Sequence, residues 1–150
     1  MTQKVDILVA EYDDIADVAL AEKMIFSDPW NERSLSECID SDKELLLVAK
    51  CNGKIAGYIT VSYIFDEANI NRIAVLPEYR GQKIGSALIC KMEEIFGETV
   101  NIYNLEVRES NIYAQNMYTQ NGYETVGKRK RFYRGPDEDA ILMTKRKVMI

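Results

Sequence analysis

Apolar and polar positions along the chain fall into two rhythms, one of period two and one of period 3.6, and their boundaries predict the elements. Lys4 to Ala10 reads as a strand. Asp13-Asp14 then offers an N-cap, and Ile15, Val18, Ala19 and Met24 follow at helical spacing. Asp28-Pro29-Trp30-Asn31 breaks the chain, and Asn31 can cap a second helix containing Ser34 to Cys38. Glu44 to Lys50 and Lys54 to Ile64 read as strands joined by Asn52-Gly53, a strong hairpin signal. Glu67 to Leu76 is a further strand that Pro77 ends. Ile84 to Phe96 reads as a helix with Ile84, Leu88, Met92, Ile95 and Phe96 on one face. Ile102 to Val107 reads as a buried strand. Ser110 or Asn111 caps a helix to Gln120, Gly122 sits where a C′ glycine belongs, and Tyr123 to Phe132 and Ala140 to Lys147 finish as strands.

The predicted order is β-α-α-β-β-β-α-β-α-β-β. A helix between two successive strands predicts a parallel, right-handed crossover, while the hairpins predict antiparallel neighbours. The expected architecture is therefore a mixed α/β sheet with helices on both faces. No repeat, low-complexity stretch or Gly/Ser/Pro linker divides residues 1–150, so one domain is expected.

Composition narrows the chemistry. Hydrophobic residues at 47% suffice for one core, and charged residues at 29% suit a soluble surface. The apolar runs are a few residues long, against about 20 for a membrane span. The first residues lack the apolar core and cleavage site of a secretion signal, so a cytoplasmic protein is expected. The net charge of −5 disfavours a general nucleic-acid binder. Acidic residues are dense from Asp6 to Glu44, and Lys128 to Arg134 is basic. Cys38, Cys51 and Cys90 lack metal-ligand spacing and read as small buried hydrophobes, so neither a disulfide nor a metal is expected. With no histidine in the chain, a general base must be a carboxylate, a tyrosine, a lysine or a water.

The segment from Ile73, Ala74 and Val75 through Arg80, Gly81, Gln82, Lys83, Ile84, Gly85 and Ser86 is an apolar strand, a glycine-containing loop and a helix start. Unpaired amides and the macrodipole make such a helix start attractive to phosphate. Gly81 and Gly85 let backbone approach a ligand, and Arg80 and Lys83 add positive charge. The spacing fits neither a Walker loop nor a GxGxxG turn.

Arg80-Gly81-Gln82-Lys83-Ile84-Gly85 resembles the acetyl-CoA motif of the GNAT superfamily of N-acetyltransferases, Arg/Gln-x-x-Gly-x-Gly/Ala. Lys83 departs from it by replacing the middle glycine, which is tolerable at negative φ and costly in the left-handed region. Leu105-Glu106-Val107-Arg108, Ser110-Asn111, Ala114, Tyr118 and Gly122-Tyr123 resemble a second block of the family. Gly127 to Tyr133, Glu138-Asp139-Ala140 and Met143, and Pro29-Trp30 add similarity to its bacterial ribosomal-protein-alanine (RimI-type) branch.

The resemblance implies a GNAT fold, a mostly antiparallel sheet with a parallel β-α-β core, and acetyl-CoA as co-substrate. It implies Glu106 as general base, Tyr118 as general acid and Asn111 as a coenzyme contact. Chemically, a neutral amine must attack a thioester carbonyl. A carboxylate can take the amine proton, a tyrosine can protonate the thiolate, and an N–H of Ile73–Val75 can receive the developing oxyanion. Trp30 and Tyr133 are candidates to flank a substrate, with core packing and a charged edge strand as their alternatives. The expected acceptor is a peptide or protein N-terminus such as that of ribosomal protein S18. The acidic N-terminal third would suit a basic peptide, and a monomer or weak homo-oligomer is expected. Another amine, or acyl-CoA binding without catalysis, stays open.

Overall fold

A computed structural model describes residues 4–147, so the reading of Met1 to Gln3 lies outside the described residues. The elements are β1 (Val5–Val9), α1 (Ile15–Ile25), α2 (Glu32–Asp40), β2 (Glu44–Cys51), β3 (Lys54–Ile64), β4 (Glu67–Val75), α3 (Ile84–Phe96), β5 (Ile102–Arg108), α4 (Ile112–Gln120), β6 (Glu124–Tyr133) and β7 (Glu138–Arg146). Their order is the one that the apolar rhythm predicts. Local chemistry explains several boundaries. The Asn31 side chain accepts from the Ser34 amide at 2.8 Å, and the Asn111 side chain from the Ala114 amide at 3.1 Å, so each satisfies an amide that its helix leaves open. Asn52 and Gly53 take φ of 52° and 78°, the left-handed pair that a two-residue hairpin turn needs.

The strands form one sheet in the order β1-β2-β3-β4-β5-β7-β6. Among the described residues only β4 and β5 run parallel, joined through α3; the other neighbours are antiparallel. Helices α1 and α2 cover one face, packing Val18, Ala21 and Leu35 on Leu46, Val48 and Tyr58. Helices α3 and α4 cover the other, packing Leu88, Ile89, Met92 and Tyr118 on Leu47, Ile59, Leu105 and Met143. Leu88 is fully buried there, so truncating it to alanine would cost about 2–5 kcal/mol.

Four burial expectations need correction. On α3, Ile95 is 44% exposed and Ile89 takes its place, because the stripe drifts toward Gly85 and Ile89, where α4 packs. On α1, Met24 is exposed and Glu22, one turn beyond Val18, is wholly buried. Strand β5 is not buried throughout: Tyr103, Leu105 and Val107 are, while Ile102, Asn104, Glu106 and Arg108 on the other face are half-exposed. Of the cysteines, Cys38 and Cys51 are buried as expected, but Cys90 is exposed on α3.

Candidate active site

One irregularity positions the site. Thr60 pairs with Arg72 and Val61 with Ile70, which leaves Asn71 as an extra residue in β4. Such a bulge bends and twists its strand. The ladder between β4 and β5 stops at the same place: Ile70 opposite Leu105 is its last rung. Glu106 therefore has no partner in β4; the two strands have parted by then.

The parting leaves backbone unpaired. The Leu76 amide donates to the Ala56 carbonyl of β3 at 2.8 Å. By strand alternation the amides of Val75 and Ile73 face the opposite edge, toward the opening. The Val75 carbonyl on that edge accepts from Arg80 Nε at 3.0 Å, which ties the following loop to the strand end.

That loop leads into α3, whose first amides at Ile84, Gly85 and Ser86 have no acceptor within the helix. Gly81 has φ +84°, and a Cβ there would meet no heavy atom within 4 Å, so conformation is what requires glycine. Gln82 is exposed beside it. Lys83 takes φ 61° and ψ 28°, the costly left-handed alternative, at roughly 1–2 kcal/mol for a residue with a Cβ. Gly85 serves packing: a Cβ there would stand 2.6 Å from Met117 Sδ of α4. The Ser86 hydroxyl accepts from Asn121 Nδ2 at 3.0 Å, a second link between the two helices. An amide-lined turn with space around Gly81 fits a phosphate-bearing coenzyme.

Glu106 lies on the α1–α2 side of the sheet, half-buried, and borders a cleft of about 260 Å³ with Asn69, Asn104, Arg129, Leu142 and Thr144. A larger hollow of about 540 Å³ continues past Tyr63 and Phe65 and holds none of the predicted residues. Tyr118, on α4, is 4% exposed and packs against Tyr123 with ring centroids 5.9 Å apart. Tyr133 stands in electrostatic reach of both. Burial, then the Glu106 charge, pushes the Tyr133 hydroxyl up to about 12. Burial, then Tyr133, pushes Tyr118 well above its ordinary value, so it stays protonated at neutral pH.

Residues 12–123 match the Acetyltransferase (GNAT) family. The chain belongs to it. The [ribosomal protein bS18]-alanine N-acetyltransferase of Escherichia coli K12 is 33% identical over 118 residues, 77% of this chain and 79% of that protein. A Bacillus subtilis 168 protein, provisionally assigned the same activity, is 36% identical over 133 residues, covering 87% of this chain and 88% of its own length. The crystal structure of the ribosomal-protein-S18-alanine N-acetyltransferase from E. coli superposes with a TM-score of 0.88 at 29% identity, over 98% of this chain and 96% of that one. The chain is thus an acetyl-CoA-dependent GNAT N-acetyltransferase related to these enzymes.

Two organisers of this acetyltransferase escape sequence reasoning. Arg108, at the end of β5, donates to the Arg134 and Pro136 carbonyls at 2.9 Å each and to Glu138 at 3.2 Å. Its guanidinium lies 4.6 Å from the Tyr133 ring centroid, so it pins the β6–β7 turn and Tyr133 together. Glu22 accepts from the Trp30 amide at 2.8 Å, from the Tyr58 hydroxyl at 2.5 Å and from Arg72 Nε at 3.2 Å. The available signal is a charge at an apolar-face position: Glu22 at helical spacing after Ile15, Val18 and Ala19, and Arg72 inside the apolar run of β4. Trp30, half-buried, belongs to this cluster. Asn111 holds its amide cap and is otherwise exposed.

Proposed function

We propose that the enzyme transfers acetyl from acetyl-CoA to the α-amine of a protein N-terminus, the alanine end of ribosomal protein S18 being the expected substrate. The observation that carries this reading is the opening between β4 and β5. It brings an unpaired strand edge, a half-buried carboxylate and the turn before α3 onto adjoining strand ends. The Gly81–Ser86 amides would hold the coenzyme's pyrophosphate, with Asn111 a further contact at the start of α4. Acetyl-CoA supplies an activated acetyl group as a thioester. The amide of Ile73 or Val75 donates to the carbonyl oxygen as charge builds on it.

Glu106 acts as the base, directly or through a water. An α-amine has a pKa near 8, so part of it is neutral at physiological pH and a carboxylate suffices for the last proton. Tyr118 faces the leaving sulfur as a hydrogen-bond donor. Its raised pKa keeps the hydroxyl proton in place until negative charge has built on sulfur. Trp30 and Tyr133 flank the acceptor. The relatives' printed activity supports the α-amine over a side-chain amine. So does the chemistry, because a lysine, with a pKa near 10.4, presents far less neutral amine. Mass spectrometry on a panel of peptides should locate the acetyl group on the α-amine; modification confined to lysine side chains would refute the assignment.

A further inference from the structure

The ion pair between α1 and β4 takes no part in the chemistry proposed above. Glu22 has no exposed surface, and a carboxylate is not left in such a place without several donors. Each of its donors comes from a different element: the Trp30 amide from the segment between α1 and α2, Tyr58 from β3 and Arg72 from β4. Arg72 extends the grip with its other arm. Nη2 donates to the Asp28 carbonyl at 2.6 Å and lies 3.4 Å from Asp28 Oδ1. Its guanidinium rests 4.0 Å from the Phe26 ring centroid and 5.6 Å from that of Trp30.

Register places this assembly beside the reaction site. Arg72 is two residues from Ala74, which packs under α1 and α2, so it projects from the same face as Glu106. Past the last rung, Ile70 opposite Leu105, Arg72 follows the bulged Asn71 on β4 and Glu106 is the next residue on β5. They therefore flank the opening on that side. Tyr133 feels Arg72 and Asp28 as well as Glu106, which agrees with that placement.

We infer that Glu22 is a positioning residue for the acceptor: through Arg72 and the Trp30 amide it fixes Asp28–Trp30 as a wall beside the opening. This rests on acetyl transfer at that opening. Glu22 touches no reacting atom. It sets where the wall stands, so its loss weakens acceptor binding and spares coenzyme binding on the far side of β4.

The test compares the wild type with Glu22→Gln and Arg72→Lys, varying acetyl-CoA and acceptor peptide separately. Arg72→Lys keeps a charge against Glu22 but cannot span Glu22 and Asp28, so it is the milder change. Removing a charge-assisted hydrogen bond from the wall should raise the acceptor KM about tenfold, with the KM for acetyl-CoA held within about twofold. Trp30, the only tryptophan, gives a readout that needs no activity: acrylamide should quench it more strongly in both variants. Should Glu22→Gln fail to fold, Arg72→Lys decides alone. An unchanged acceptor KM, a parallel rise in both KM values, or unchanged quenching in Arg72→Lys overturns the inference. A wild type that acetylates a different amine refutes the proposed substrate instead, and the same comparison is then made on that amine.

Discussion

The turn between β4 and α3 and the sheet face around Glu106 are reached from the same strand ends, yet they are built of different materials. The turn is backbone. Its groups are amides, its one strict demand is the φ of Gly81, and it holds even with a lysine in a left-handed position. The sheet face is made of side chains: Glu106, Tyr133 held by Arg108, and the Asp28–Trp30 segment held by Glu22 and Arg72. A backbone site tolerates changes of residue that preserve dihedral angles. A side-chain site tolerates few changes, because each group has a specific partner.

That contrast can be broken by measurement. Glu106→Gln should lower kcat about 10²- to 10⁴-fold, the range for losing a general base. The acetyl-CoA dissociation constant, read by calorimetry, should barely move; if kcat keeps its value across the pH range, Glu106 is not the base. Gly81→Val should do the reverse. A β-branched residue at φ +84° costs about 1–3 kcal/mol. The coenzyme dissociation constant should rise roughly tenfold while the acceptor KM stays near its wild-type value, since 1.4 kcal/mol is a factor of ten.

A pH effect comes next in size. Burial pushes Tyr103 and Tyr133 up to about 12, so the folded chain holds these protons more tightly than the unfolded one. Their contribution to stability is complete below the ordinary tyrosine pKa of 10.0 and is lost as pH rises through about 12. Denaturant titrations at stepped alkaline pH should show the midpoint falling in that window and level below it. The smallest effect belongs to Lys83→Gly. Relief of the left-handed strain, less the extra freedom that glycine gives the unfolded chain, leaves about 0.5–1 kcal/mol of stabilisation. For a chain of this size that is roughly a 2 °C rise in Tm with little change in coenzyme affinity.

The elements are legible in the sequence wherever punctuation is chemical. Asn31 and Asn111 announce helix starts because their side chains bond the amides three residues on. Asn52-Gly53 announces a hairpin because the turn needs two positive φ angles. The face of a helix is less legible, since it depends on what packs against it. Ile95 and Ile89 look equivalent until α4 settles over Gly85, and Met24 fits the spacing on α1 although Glu22 holds the inner position. Glu106 and Tyr118 are identifiable from the motif block, but their surroundings come from the departure of β4 from β5, which no spacing announces. Arg72 reads as an odd charge in a strand; its fork across Glu22 and Asp28 joins residues 50 and 44 positions apart.

Asn71 lends itself to a different kind of experiment, one on chain length. It is a single unmatched residue in β4, held on the surface by the Asn69 amide and bonding Ser62 with its own. Deleting it would make Ile70 and Arg72 consecutive opposite Val61 and Thr60, so the ladder with β3 would run on without a break and Arg72 and Ile73 would keep their faces. The strand would also lose the kink that carries it away from β5, and the ladder beyond Ile70 and Leu105 could zip shut. The deleted chain would keep a similar composition and the same run of helices and strands, but it would be an unbroken sheet without the opening at which acetyl transfer is proposed.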